Sequence, residues 1–194
     1  MSTHRAGSRL VVLVLAGLGM AAAQALTVPE LQRLLKAGST PSLAFQETRE
    51  SPWLSAPLLS RGTLHSSPGL LEKRVVAPRP ETWRLKADRM EWLGPDGVAS
   101  RQVLFSDAPA VAALANALRL IVAGELAALE ADFRIELQGD ERQWTARLQP
   151  RSAAVGRHLD HLALQGEAVG LQVIIVVEPQ GERTTTRLQR GLQR

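Results

Sequence analysis

The spacing of hydrophobic positions changes three times along the chain, and the first segment has the period of a helix. Glu30 follows Thr27 by three residues, which is the spacing of a capping box, and Gly38 is the residue type at which helices commonly end. The apolar positions between them are Leu31, Leu34 and Leu35. This pattern predicts a helix between Thr27 and Gly38 with one apolar face.

Between residues 43 and 105 apolar and polar positions alternate, which is the period of a β-strand. Turn-forming residues divide this stretch into segments at residues 43–46, 58–65, 70–77, 83–85, 90–92 and 98–105. The clearest turn, Gly-Pro-Asp-Gly at residues 94–97, predicts a hairpin between the last two segments.

The period becomes helical again after Ser106. Pro109 lies where the first turn of a helix tolerates proline, and Gly124 interrupts the pattern. Five apolar residues between them lie at helical spacing: Val111, Leu114, Leu118, Ile121 and Val122. Residues 125–131 have the composition to add one or two further turns. We therefore predict helices inserted in the middle of strand-forming sequence.

Alternation returns after residue 132, in segments at residues 133–137, 144–148, 162–164, 171–177 and 183–189. The run Leu171–Val177 is continuously apolar, which predicts a strand that is covered on both faces. Roughly ten strands and two or three helices favour one antiparallel sheet that is too large to stay flat. We predict an α+β fold, namely a single large curved antiparallel sheet, or incomplete β-barrel, with helices covering its concave face as a lid.

The first 25 residues differ from the rest. They contain two arginines, then an apolar run from Leu10 to Met20, then small residues ending in Ala23-Gln24-Ala25. This order predicts a signal peptide at residues 1–25, cleaved before Leu26, and one mature domain at residues 26–194. The alternative is an uncleaved helix that tethers the protein to the inner membrane.

Charge and cysteine content exclude several functions. Without Arg5 and Arg9, the chain keeps 21 basic residues against 19 acidic ones, and they alternate without a basic block, so we expect no nucleic-acid partner. The chain has no cysteine, which excludes disulfides, thiolate catalysis, cysteine metal sites and a lipidated cysteine.

Catalytic motifs are absent from the sequence. It contains no nucleophile elbow, dinucleotide-binding loop or phosphate-binding loop. The segment His158-Leu159-Asp160-His161 enters a predicted strand, where residues three apart point to opposite faces, so we interpret it as a polar turn. We expect no catalytic residue, no metal site and no cofactor.

A hydrophobic ligand is the remaining possibility. The aromatic residues of the mature chain are all Phe or Trp, and most stand at alternating positions. Taken singly, each is better explained as ordinary core. A strongly curved sheet, however, needs something to fill its concave side, and the inserted helix has one apolar stripe with which to act as a plug or lid.

Several short motifs occur in a familiar order. They are Phe45-Gln46-Glu47, Gly62-Thr63-Leu64, Glu81-Thr82-Trp83-Arg84-Leu85 and Gly181-Glu182-Arg183-Thr184. In this order the chain resembles the outer-membrane lipoprotein carrier proteins, the LolA-like family, and most closely their divergent branch. The resemblance covers most of residues 27–190. It implies that residues 26–194 form a lipid-carrier domain, an incomplete barrel whose apolar cavity holds acyl chains during transit through the periplasm, and that the protein is not an enzyme.

On this hypothesis specific residues line the cavity. Those on the sheet are Phe45, Leu64, Trp83, Leu85, Met90, Trp92 and Phe105, and those on the lid are Leu118 and Ile121. The main branch of the family has an Arg-Pro pair whose arginine helps to hold the lid closed. Arg79-Pro80 matches that pair, and Lys73 stands in a similar context.

The resemblance also implies partners. We expect an acylated cargo, either a lipoprotein or another amphipathic lipid such as a glycolipid. We also expect transient contacts with an inner-membrane donor transporter and an outer-membrane acceptor, made by a monomer. The alternative function is a non-enzymatic accessory protein that docks on an envelope protein complex, and a secreted hydrolase is the weaker rival.

Overall fold

The computed structural model of the protein describes residues 26–94, 96–168 and 170–190. The predicted signal peptide, residues 1–25, lies outside the described residues, and so does Pro95 of the predicted turn. Among the described residues, no helix has both the length and the apolar character needed to cross a membrane.

The order of elements follows the changes of period in the sequence. The helices are α1 (Val28–Gly38), α2 (Pro109–Val122), a 3-10 helix (Leu126–Ala131) and α3 (Ala153–Gly156). The first six strands are β1 (Ser42–Glu50), β2 (Leu58–Ser67), β3 (Leu70–Ala77), β4 (Glu81–Leu85), β5 (Arg89–Leu93) and β6 (Ala99–Leu104). The others are β7 (Phe133–Gly139), β8 (Gln143–Pro150), β9 (His161–Glu167), β10 (Gly170–Val177) and β11 (Arg183–Arg190).

All eleven strands belong to one antiparallel sheet, in the order β6-β5-β4-β3-β2-β1-β11-β10-β9-β8-β7. Strands that are neighbours in sequence pair with each other, except β6 and β7, and β1 also pairs with β11 in the middle of the sheet. Strands β6 and β7 form the two edges, and within the described residues they do not pair with each other. The α+β prediction of a single large, incompletely closed antiparallel sheet is therefore confirmed, with eleven strands rather than ten.

Helix α1 forms where the capping-box spacing predicted it. The Thr27 backbone N–H and hydroxyl donate hydrogen bonds of 2.8 and 2.6 Å to the Glu30 carboxylate. Two of the three predicted stripe residues, Leu31 and Leu35, are buried. Helix α1 packs against β10 and the 3-10 helix, so its apolar face closes one side of the core.

One hydrophobic core lies between the helices and one face of the sheet, here called the inner face. Alternate residues of the strands point into it, as the period of two requires. The most deeply buried of them are Phe45, Phe133, Trp144, Leu148, Leu162 and Leu164. In β10, Val173, Ile174 and Ile175 are all buried, and only Ile174 joins the inner core. The centre of β10 is thus covered on both faces, as its continuous apolar run predicted.

Candidate functional site

Seven of the nine predicted cavity residues meet in the core on the inner face. Phe45, Leu64, Leu85 and Ile121 are buried in it. The other three, Met90, Phe105 and Leu118, are partly buried and pack against it. Side chains of α2 and the 3-10 helix belong to the same core, so the helices fill the space between these residues.

The remaining two predicted residues, Trp83 and Trp92, lie together but outside that core. They are directly opposite each other on β4 and β5, and their rings stack with centroids 4.1 Å apart and an interplanar angle of 27°. The guanidinium of Arg101 on β6 lies 5.3 Å from the Trp92 ring, within the range of a cation–π contact. The three side chains form a ladder across the edge of the sheet.

An ion pair interrupts the apolar inner face. The Lys73 ammonium donates hydrogen bonds of 2.7 Å to both oxygens of the Glu47 carboxylate, which also accepts one of 2.9 Å from Thr186. The same ammonium lies 5.1 Å from the centre of the Phe45 ring. From the sequence we expect an apolar cavity on this face. The spacing of two residues in a strand places Glu47 on the same face as Phe45, and Lys73 on the same face as Leu71 and Val75. This spacing was the sequence signal for the ion pair.

The two candidates for the lid-holding cation differ in position. Arg79 is exposed in the connection between β3 and β4. Within the described part of the chain, no hydrogen bond or ion pair engages its side chain. Lys73 lies on the inner face and is held by Glu47. Of the two, Lys73 occupies the face that the helices cover.

A second group of charges lies beside the turn between β10 and β11, next to the end of β1. Glu182 accepts hydrogen bonds from Arg49 at 2.8 Å and from Ser51 at 3.1 Å. The hydrogen bond from Arg49, and to a lesser extent that from Ser51, holds the pKa of Glu182 below its usual range. Burial, and then the negative charge of Glu182, raise the pKa of the nearby Glu178 carboxyl.

An open groove runs between α2 and the two edges of the sheet. We call it the edge groove, and its volume is about 700 Å³. The edge groove is lined mainly by apolar residues: Phe105 after β6, Phe133 at the start of β7, Pro109, Ala112 and Ala113 on α2, and Val155 on α3. Its polar lining residues are Asn116, Asp132, Arg151 and Ser152.

Helix α2 has more apolar surface than the rest of the protein covers. Its 14 residues include only two polar side chains, Asn116 and Arg119. A helix that is apolar on all sides is normally enclosed by protein. Here the C-terminal half is buried, but Ala112 and Ala113 are only partly covered and Val111 is exposed. The N-terminal half therefore offers apolar surface to the edge groove.

Arg119 is a cation in an unusual position on this helix. Its Nη2 donates a hydrogen bond of 2.8 Å to Asn116, and its Nε is buried without a hydrogen-bond partner. Within the described residues, no carboxylate forms a salt bridge with it. The helix thus carries one guanidinium whose hydrogen-bonding capacity is only partly used.

The histidine segment forms a local polar cluster. His161 Nδ1 and Asp160 lie 2.6 Å apart, and Arg147 lies 3.6 Å from the same carboxylate. His158 lies in the loop before β9, and Leu159 beside it is buried. In the described ranges, no three His, Asp or Glu side chains are grouped closely enough to hold a metal ion.

Comparison with known protein families gives a match over most of the chain. The family model described as "Outer membrane lipoprotein carrier protein LolA-like" matches residues 20–192. No curated protein matches the sequence.

Similar solved structures have low sequence identity to this chain. A LolA superfamily protein from Nitrosomonas europaea has a TM-score of 0.43 and 12% identity, over 85% of this chain and 92% of that one. A putative outer membrane lipoprotein-sorting protein domain from Vibrio parahaemolyticus has a TM-score of 0.41 and 9% identity, over 86% and 92%. MucB has a TM-score of 0.41 and 17% identity, over 83% of this chain and 57% of its own.

Proposed function

The chain belongs to the LolA-like family of outer membrane lipoprotein carrier proteins, and from that premise we propose that it carries the hydrophobic chains of an amphipathic lipid. The cargo is a lipoprotein or another acylated molecule such as a glycolipid. The carrier works in the periplasm, between an inner-membrane donor and an outer-membrane acceptor. It holds its cargo by burial alone and catalyses no reaction.

The surplus apolar surface of α2 is the observation that carries this proposal. An acyl chain in the edge groove would cover Ala112, Ala113 and Phe105, which are otherwise partly open to water. The groove volume of about 700 Å³ lies within the range of about 300–1,000 Å³ found for small-molecule sites. Each methylene group removed from water contributes about 0.8 kcal/mol before ordering costs.

Deeper binding requires α2 to move. Phe45, Leu64 and Leu85 are buried in the same core as side chains of α2, so we propose that an acyl chain reaches them only when it replaces helix side chains. Such an exchange replaces one set of apolar contacts with another. Its net free energy is therefore small compared with the free energy of the contacts that are lost or gained. We therefore propose that α2 acts as the lid of the carrier and moves when cargo enters the core.

Blocking the edge groove tests the proposal. Ala112→Trp puts an indole into the groove, and we expect it to weaken binding of a fluorescent long-chain fatty acid at least tenfold, which corresponds to about 1.4 kcal/mol. Val111→Trp on the same helix is the matched control, because Val111 is exposed and does not line the groove. Equal binding by both variants and the unmodified protein, with unchanged folding, would refute this site.

The accessory-protein function is the second candidate, and the filled core is the observation that favours it. A protein whose inner face is occupied by its own helices needs no lipid to be complete. In that case the chain would copurify with a partner protein and would bind no fatty acid in the groove assay.

A further inference from the structure

One loop of the protein exposes several large apolar side chains together. It comprises residues 51–59, which connect β1 to β2 and include the first residues of β2, and we call it the apolar loop. Four of its side chains are exposed: Trp53 by 78%, Leu54 by 37%, Leu58 by 54% and Leu59 by 68%. The nine residues contain no charged side chain. Clustered exposed apolar side chains of this kind mark interaction sites on proteins.

The apolar loop is held in place by its neighbours. Ser51 at its start is hydrogen-bonded to Glu182, which is in turn hydrogen-bonded to Arg49. Pro52 packs against the turn between β10 and β11, where a Cβ built on Gly181 would lie 3.4 Å from its ring. The exposure of Trp53 is therefore a property of a braced loop.

Part of the backbone at the loop tip is hydrogen-bonded within the loop. The Trp53 N–H donates to the Ser51 hydroxyl at 3.3 Å, and the Leu54 N–H donates to the Ser51 carbonyl at 3.1 Å. Pro52 and Pro57 have no N–H to satisfy. Because unpaired polar groups make it costly to move backbone out of water, each of these features lowers the cost of bringing the tip into the interfacial layer of a bilayer.

We propose that the apolar loop docks the protein on a lipid bilayer by inserting Trp53 and its neighbouring leucines into the interfacial layer. Tryptophan is enriched at that layer, where its ring is apolar and its N–H stays hydrated. A stable protein partner would need about 800 Å² of complementary surface on each side, whereas a bilayer requires no complementary shape and accepts an uncharged loop. This inference goes beyond the proposed carrier function and does not depend on the cargo.

Vesicle flotation tests the proposal. Protein purified from cells that export it is mixed with phosphatidylcholine vesicles, and with vesicles of phosphatidylethanolamine and phosphatidylglycerol. We expect it to float with both, at low salt and at 1 M salt, because the loop carries no charge. No flotation, or flotation only with anionic vesicles at low salt, would overturn the proposal.

Matched variants locate the contact. The double variant Trp53→Ser, Leu54→Ser should lower the partition coefficient at least tenfold. Val98→Ser, at an exposed apolar residue between β5 and β6, should leave it unchanged. The difference in fluorescence between the protein and its Trp53→Phe variant isolates Trp53, and we expect that signal to shift to the blue on binding. An unshifted signal, or equal loss in both serine variants, would also overturn the proposal.

Discussion

Lys73 and Glu47 place a partly buried ion pair on the inner face, beside the ring of Phe45. Each group of the pair hydrogen-bonds the other, and Thr186 adds a further hydrogen bond to the Glu47 carboxylate. Next to it on the same face, Trp83 lies opposite Lys73 on the neighbouring strand.

Glu91 provides a test of electrostatics at the scale of single residues. It is buried, and it accepts hydrogen bonds from Lys86 at 2.8 Å and from Arg89 at 2.7 Å, which lower its pKa. The carboxylate therefore stabilises the fold above its usual pKa of 4.5, and this contribution is lost as the pH falls through the lower pKa of the folded state.

We expect Glu91→Gln to lower the free energy of unfolding by about 1–2 kcal/mol at pH 7. The difference should shrink when urea unfolding is repeated at pH values below the usual carboxyl range. Glu130→Gln, at an exposed residue of the 3-10 helix, is the control and should change little at either pH. A difference for Glu91→Gln that did not depend on pH would contradict this assignment.

At the scale of elements, the packing of α2 against α1 depends on the residue that follows the helix. Gly124 follows the helix with a φ of +72°, a left-handed conformation that favours glycine. A Cβ at this position would lie 3.1 Å from the Lys36 backbone nitrogen and 3.2 Å from the Leu35 carbonyl carbon, both in α1. Gly124 thus allows α2 to turn toward the 3-10 helix while packing closely against α1.

Substitution of Gly124 tests this packing. Gly124→Ala should lower the free energy of unfolding by about 1–2 kcal/mol, because it adds both backbone strain and a close contact with α1. Gly156→Ala is the control, since a Cβ there meets no atom within 4 Å, and it should be neutral or slightly stabilising. Urea unfolding of both variants measures the difference, and equal stabilities would show that Gly124 is not required.

The elements were predictable because their signals are local. The capping box of α1, the turn before β6 and the apolar run of β10 each lie within about ten residues of sequence. Pairing of β1 with β11 joins the two ends of the domain, and nothing in the period of either strand indicates it. The same holds for Lys73 and Glu47, which meet across the intervening strand β2.

The candidate site was predictable only in part, for the same reason. Alternation placed Phe45, Leu64 and Leu85 on one face, and the structure brings them together. The alternation could not show that helix side chains belong to the same core, because this depends on how closely α2 packs against the sheet. From the sequence we assigned this helix a single apolar stripe and overlooked its further apolar surface, although Asn116 and Arg119 are its only polar residues.

At the scale of the whole molecule, the open sheet separates two regions. The edge groove lies between strands β6 and β7, the two edges, and the apolar loop lies at the tip of the β1–β2 hairpin near the middle of the sheet. We propose that the first holds hydrophobic chains and the second contacts the membrane. Cargo exchange would then need movement of α2 while the central strands stay paired.

Native mass spectrometry tests the central claim most directly, on protein purified gently from the periplasm of the cells that make it. The carrier function predicts additional masses that organic solvent removes, that match acylated molecules, and that are reduced in the Ala112→Trp variant but not in Val111→Trp. Only the mass of the bare chain, under conditions that preserve the lipid on a known lipid carrier measured in parallel, would contradict it.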